Sequence, residues 1–153
     1  KKKISIKKEI NKYFINKYYQ PDVQINLAKN LLNFANTSID ISDGLIDDLE
    51  KMINKQNLSY QLNEDRIPVS KKLSDLIKNK KIKKSKLISN GDDYQILFTA
   101  NTNKRRIINS ISKILRVKIT KIGRINDGFK KSSIIDQKGE QILIKNKGFT
   151  HQF

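Results

Sequence analysis

The chain has 153 residues, a formal net charge of +17 and no cysteine. Its length suits one domain of ordinary size, and the absence of cysteine excludes disulfides and cysteine-ligated zinc. No apolar run approaches the roughly 20 residues of a membrane-spanning helix, and we expect neither a membrane partner nor a secretory signal. Because His151 is the single histidine, any metal must be held by oxygen, which favours magnesium or a similar hard ion.

The basic excess has two explanations. Clustered positive charge is typical of surfaces that bind nucleic acid or another polyanion. Here nearly all of the excess is lysine, in a chain that is also rich in isoleucine and asparagine, as an AT-rich coding sequence produces. Nucleic-acid surfaces also recruit arginine and aromatic side chains, whereas in this chain arginine is scarce and tryptophan is absent. We therefore do not expect nucleic acid as a partner, but a basic nucleic-acid-binding module stays open as an alternative.

The first predicted helix covers residues 4–18 and ends before Pro21. Its apolar side chains fall on one face, which can pack on its own domain, on a partner domain or on a lipid surface. A second helical face is predicted over 27–35. Alternation of apolar and polar residues then predicts a strand over 37–41, and helical spacing resumes at Leu45.

The remainder of the chain alternates between strand and helix patterns. Strands are predicted at 58–62, 94–100 and 117–125, with helices after the capping residue Ser70 and after Asn103. The stretch 126–128, Asn-Asp-Gly, predicts a hairpin turn before closing strands at 131–135 and 141–145. The expected fold class is therefore α+β, with layered helices packed on a mixed β-sheet.

The stretch IDISDGLIDDL, residues 39–49, collects four aspartates at the predicted strand-to-helix junction. In a strand Asp40 and Ser42 share one face, while their apolar neighbours go to the core. Asp43 lies at the corner, where Gly44 lets the chain turn closely. Two carboxylates and a hydroxyl in one short turn can hold magnesium, and the N–H groups of the new helix favour the phosphate that would accompany it.

The same acids also have structural interpretations. Ser42 or Asp43 can cap the helix, and Asp47 and Asp48 suit its first turn through the helix dipole. For Asp40 a structural role is weaker, because a carboxylate in an apolar strand is costly without a partner. The turn at 90–94 and the tail at 148–153 are further candidates, although acids often simply form turns and a terminal histidine is often structural.

Taken together, these stretches resemble the thiamine-monophosphate kinases. Members of that family carry a D-[IV]-S-D-G-L segment, matched at 40–45, and a G-[ED]-D-Y segment, matched at 91–94. An I-G-R segment is matched at 122–124. The family ends in G-[WYF]-x-H-F, matched at 148–151, although Gln152 here follows the histidine. Four motifs in order over residues 20–153 are more specific than any one of them.

The resemblance covers the C-terminal half of that family. It implies that residues 20–153 form the C-terminal domain of an aminoimidazole-ribonucleotide synthetase-like protein, and that 1–19 connect it to a missing N-terminal domain. The implied reaction moves the γ-phosphoryl group of ATP onto thiamine monophosphate and gives thiamine diphosphate. We expect a cytoplasmic homodimer, and we expect the isolated chain to be inactive because half of the ATP site is absent.

Carried over residue by residue, the resemblance makes Asp40 and Asp43 magnesium ligands and Ser42 an ATP contact. Asp92 would contact thiamine monophosphate, and Phe149 would lie against its aromatic ring. No catalytic residue beyond the metal ligands is implied, because the acceptor is already an anionic phosphate oxygen. Two other interpretations stay open, namely a related aminoimidazole-ribonucleotide or selenophosphate synthetase and a non-catalytic fragment that pairs with another subunit.

Overall fold

A computed structural model of the chain describes residues 6–53, 56–79, 82–128 and 131–144. Its helices are α1 (Lys8–Tyr19), α2 (Ile25–Asn30), α3 (Leu45–Met52), α4 (Lys71–Lys78) and α5 (Arg105–Leu115). Its strands are β1 (Thr37–Asp40), β2 (Leu58–Asn63), β3 (Ile96–Thr99), β4 (Gly123–Asp127) and β5 (Ser133–Ile135). The tail that contains Phe149 and His151 lies outside the described residues.

The strands form two small sheets. β1 pairs antiparallel with β3, so that Asp40 lies opposite Ile96. In the second sheet the order is β4-β2-β5, with β2 antiparallel to β4 and parallel to β5. The second sheet is therefore mixed, and the expected α+β class is confirmed.

The predicted hairpin at 126–128 is wrong. β4 continues to Asp127, and β5 pairs with β2 on the edge opposite β4. The turn residues mark the end of β4, and the backbone N–H and C=O groups of β2 pair with a different strand on each of its two edges. Tyr60 and Leu62 of β2 are accordingly buried.

The helix predicted over 27–35 is shorter in the structure. α2 ends at Asn30, and a 3₁₀ turn follows from Leu31 to Asn33. Because a 3₁₀ turn has three residues rather than 3.6, the faces rotate. Leu32 becomes 96% exposed, and Phe34, which the helical pattern left out, is only 2% exposed.

Two apolar clusters hold the elements that carry the acidic motifs. The larger one packs α3 against β2, with Ile46, Leu49 and Leu62 among its buried members. The smaller one joins α2 to α5 and includes Phe34, whose ring meets the ring of Phe98 from β3 edge-on at 5.1 Å. Each such buried side chain contributes about 1.5–3 kcal/mol, so both faces of the β1–β3 pair are fixed by packing.

The structure tests two predictions about helix ends, namely the N-cap of α4 and the C-terminal end of α1. Ser70 caps α4 as predicted, since its Oγ accepts a hydrogen bond from the Leu73 N–H at 3.2 Å. α1 ends at Tyr19, before Pro21, and none of its residues is buried. Its contact with α4 includes the Lys72 ammonium, 5.1 Å from the centre of the Tyr13 ring. None of the described helices has the length and hydrophobicity that crossing a bilayer requires.

Candidate functional site

The two acidic motifs lie side by side because the β1–β3 pairing continues beyond the ends of both strands. The Ile41 N–H donates to the Gln95 carbonyl at 2.9 Å, and the Tyr94 N–H donates to the Ile41 carbonyl at 2.9 Å. One step further, the Asp92 N–H donates to the Ser42 carbonyl, also at 2.9 Å. Segments that are some 50 residues apart in the printed sequence thus share one backbone ladder.

Glycines allow this close approach. A Cβ atom added to Gly91 would lie 1.9 Å from the Ser42 carbonyl oxygen, which no side chain can tolerate. Gly44 has φ +132°, and a Cβ there would lie 2.9 Å from the Ser89 carbonyl group. Both positions therefore need glycine for room, and Gly44 needs it for its backbone conformation as well.

Asp48 fixes the shape of the first motif. Its side chain is 1% exposed, and its Oδ2 accepts hydrogen bonds from the N–H groups of Ser42 (2.9 Å), Asp43 (3.0 Å) and Gly44 (3.1 Å). A buried carboxylate is stable when several donors satisfy it, as they do here. The loop is thus wrapped around a carboxylate that belongs to α3.

The prediction that Ser42 or Asp43 caps α3 is wrong. Gly44 occupies the N-cap position, and no side chain there accepts a hydrogen bond. The turn instead aims three successive N–H groups at Asp48, inside the helix. These N–H groups are consequently bonded to an anion of the chain itself and are not available to a phosphate.

An acidic group beside the loop has the donor chemistry of a magnesium site. Single carboxylate oxygens of Asp43, Asp47 and Asp48 lie within 4.8 Å of one another. The Lys51 ammonium is 2.7 Å from Asp47 Oδ2 and 3.1 Å from Asp48 Oδ1, and it also pairs with Asp43. Carboxylate oxygens are ligands that Mg²⁺ accepts, and in this structure the three carboxylates converge on the ammonium of Lys51.

The three neighbouring carboxylates stabilise the positive charge of Lys51. The hydrogen bonds that Lys51 donates to Asp43, and then to Asp47, raise the pKa of Lys51 above its ordinary range. Asp48 and Asp47 precede Lys51 by three and four residues on α3, and this spacing brings their side chains together on one helix face. The role of Lys51 could not be predicted from the sequence, because it also depends on Asp43, whose position is set by the loop.

Asp40 lies outside this acidic group. It is exposed at the end of β1, and among the described residues the three-carboxylate group contains Asp43 without it. The negative charges of Asp92 and, more weakly, of Asp40 raise the pKa of the Tyr94 hydroxyl. Asp40 therefore has only a weak electrostatic effect on this phenol, and the metal roles predicted for Asp40 and Asp43 stay predictions.

The second motif has an unusual backbone. Asp92 and Tyr94 have φ values of +64° and +51°, in the left-handed region that such residues rarely adopt. The Tyr94 hydroxyl donates to Asp92 Oδ1 at 3.3 Å. Burial, followed by the Asp92 charge, raises the pKa of the Asp93 carboxyl. Left-handed residues held in place by their surroundings are frequent at ligand sites, and this segment has two.

The second motif also borders a wide open cleft. Asp92 and Asp93 line it, together with Tyr13, Phe14 and Tyr18 of α1, and its volume is about 1590 Å³. The aromatic side chains of α1 were not predicted to lie near the motif. Helical periodicity shows which residues share a face, but it does not show what that face meets.

The structure thus brings together four of the five predicted site residues at one end of the β1–β3 pair. Asp40 is the last residue of β1, Ser42 and Asp43 follow that strand, and Asp92 precedes β3. The fifth, Phe149, lies outside the described residues. This strand end, with its clustered carboxylates beside left-handed residues, is therefore the candidate functional site of the described part of the chain.

Comparison with known proteins confirms the family resemblance. No protein-family model matches the chain. A curated thiamine-monophosphate kinase from Buchnera aphidicola subsp. Schizaphis graminum (strain Sg) is 34% identical over 145 residues, which cover 94% of this chain and 44% of the relative. A second, from subsp. Acyrthosiphon pisum (strain APS), is 33% identical over 152 residues, covering 99% and 46%. The chain is therefore related to thiamine-monophosphate kinases, and it spans somewhat less than half the length of these curated relatives.

Solved structures agree with the fold. A thiamine-monophosphate kinase from Stenotrophomonas maltophilia K279a superposes with a TM-score of 0.73 at 26% identity, over 90% of this chain and 42% of the other. AaThiL complexed with AMPPCP and TMP superposes with a TM-score of 0.72 at 25% identity, over 98% and 44%. The arrangement of helices and mixed sheet described above is therefore that of one portion of these enzymes.

Proposed function

We propose that this chain is the C-terminal half of a thiamine-monophosphate kinase, which transfers the γ-phosphoryl group of ATP to thiamine monophosphate. Residues 20–153 would form its C-terminal domain, and 1–19 would lead to an N-terminal domain that carries the rest of the ATP site. The curated relatives named above and the complex of AaThiL with AMPPCP and TMP support this substrate pair.

One observation carries the proposal. The hydrogen bond from the Asp92 N–H to the Ser42 carbonyl, together with the Gly91 contact, joins the two acidic motifs into a single edge. A phosphoryl donor and its acceptor have to meet within bonding distance of each other. Motifs for the two substrates on one edge fit that requirement, whereas separated motifs would not.

The residues on the phosphoryl-donor side would bind either magnesium or ATP. Asp40 and Asp43 would hold magnesium and Ser42 would contact ATP. When bound, magnesium offsets the negative charge gathered on the phosphates. Asp43 supports this role, because it belongs to the acidic group whose candidate ligand atoms are all carboxylate oxygens, whereas the role of Asp40 rests on the resemblance alone.

The acceptor side would use Asp92 and Phe149. The thiazolium ring of thiamine carries a positive charge, so an exposed carboxylate such as Asp92 can pair with it. Phe149 would stack on an aromatic ring of the same substrate. No strong base is needed, because the attacking phosphate oxygen is already anionic. The work of the chain would therefore be binding and alignment.

Partners and location follow from the same proposal. A missing N-terminal domain would complete the site, the working enzyme would be a cytoplasmic homodimer, and the chain by itself would be inactive. The charge of +17 would then be mostly compositional, with no nucleic acid required as a partner.

The binding of ATP to this edge can be tested on the chain itself. We predict that the chain shifts the ³¹P NMR signals of ATP in a magnesium-dependent manner, and that Asp43→Asn removes this shift because a ligand for the ion is lost. Asp75→Asn, which changes an exposed aspartate on α4, is the matched control and should behave as the wild type. Equal magnesium-dependent shifts with Asp43→Asn would exclude Asp43 as a ligand.

A further inference from the structure

Lys51 lies where it can compete with a metal ion for Asp43. Its ammonium pairs with Asp43 and is 2.7 Å from Asp47 and 3.1 Å from Asp48. These are the same three carboxylates that approach one another to within 4.8 Å. Three acids around one lysine resemble the donor set of a cation site more than an ordinary exposed ion pair.

Two cations cannot share these oxygens without cost. A magnesium ion bound through Asp43 would lie a few ångströms from the ammonium, and like charges at such distances repel. Asp48 cannot turn away to relieve this, because its other oxygen is held by three backbone N–H groups. Lys51 can move instead, since it is 45% exposed and has a flexible stem.

We propose that Lys51 is an internal cation that occupies the Asp43 site in the metal-free chain, and that magnesium has to displace it in order to bind. This inference rests on the proposed function, because it takes Asp43 as a magnesium ligand. Lys51 then lowers the affinity of the site for metal and offsets part of the negative charge of the three carboxylates when no metal is bound. The lysine is therefore a determinant of metal affinity rather than a catalytic residue.

The test measures metal binding directly. Mn²⁺, a hard ion with similar oxygen preference, is titrated into the 153-residue chain, and its free concentration is followed by electron paramagnetic resonance. We expect Lys51→Met to tighten Mn²⁺ binding about three- to tenfold, the size expected when partly exposed ion pairs of modest strength no longer compete. Lys51→Arg keeps the charge and grips carboxylates at least as well, so it should bind Mn²⁺ no more tightly than the wild type.

Controls separate this effect from general charge and from folding. Lys17→Met removes an equal charge from a lysine of similar exposure, 42%, that pairs with Asp22 alone among the ion pairs described, and it should leave Mn²⁺ affinity unchanged. Circular dichroism of each variant checks the fold. If Lys51→Met does not fold, Lys51→Gln replaces it with the same expectation.

Asp43→Asn distinguishes failure of this inference from failure of the proposed function. If Asp43→Asn weakens Mn²⁺ binding but Lys51→Met leaves it unchanged or weaker, the competition is refuted and the proposed metal site stands. If Asp43→Asn has no effect, or the wild-type chain does not bind Mn²⁺, the metal role of Asp43 fails and the inference fails with it.

Discussion

A single side chain, that of Asp48, holds the loop at residues 42–44 in its conformation. From the sequence it is one of two acids in the first turn of a helix, a position that the helix dipole favours. In the structure its carboxylate is buried and satisfied by three N–H groups of the preceding turn. The helix position was predictable, but the hydrogen bonds were not, because they depend on how the Gly44 turn folds back.

We predict that Asp48→Ala lowers the free energy of unfolding by about 2–4 kcal/mol, because three N–H groups lose a charged acceptor in a buried place. Asp47→Ala is the matched control. Asp47 is on the same turn but partly exposed, with an ion pair to Lys51, so its loss should cost about 1 kcal/mol or less. Urea denaturation of both variants measures the difference, and equal losses would contradict the anchoring role of Asp48.

At the scale of elements, the pairing of β1 with β3 creates the site. Both strands were predicted, although β3 begins at Ile96 rather than 94, because Tyr94 has a left-handed backbone that a strand cannot include. That the two strands pair was not predictable from local patterns. Period-two alternation shows the face of a strand and contains no information about its neighbour.

A substitution at Gly91 would test the pairing of β1 with β3. We predict that Gly91→Ala separates the two motifs and lowers the free energy of unfolding by more than about 2 kcal/mol, because its Cβ would meet the Ser42 carbonyl at 1.9 Å. Faster hydrogen exchange at the Asp92 N–H, measured by NMR, would report the separation locally.

Gly139→Ala is the control for this change. Gly139 has φ +83° but no neighbour within 4 Å of the added atom, so only the backbone conformation opposes alanine, at a cost of about 1 kcal/mol. If Gly91→Ala costs no more than Gly139→Ala and leaves exchange at Asp92 unchanged, the close approach does not hold the motifs together.

For the whole molecule, the motifs in the sequence were enough to predict the family and the α+β class, and both are confirmed. The site was predicted only as four separate stretches. The structure brings two of these four stretches, 40–45 and 91–94, to one edge, and it adds Asp48 and Lys51, whose contacts no local pattern predicts. We propose that this edge is half of a phosphoryl-transfer site.

The most direct test is phosphoryl transfer by a chimera in which this chain replaces the matching 44% of the Buchnera kinase from Schizaphis graminum. With ATP, magnesium and thiamine monophosphate, chromatography should detect thiamine diphosphate. Asp43→Asn should lower kcat by about two orders of magnitude or more with the fold intact, whereas Asp75→Asn should not. A folded chimera that forms no thiamine diphosphate, or an Asp43→Asn chimera with the unchanged rate at saturating magnesium, would contradict the claim.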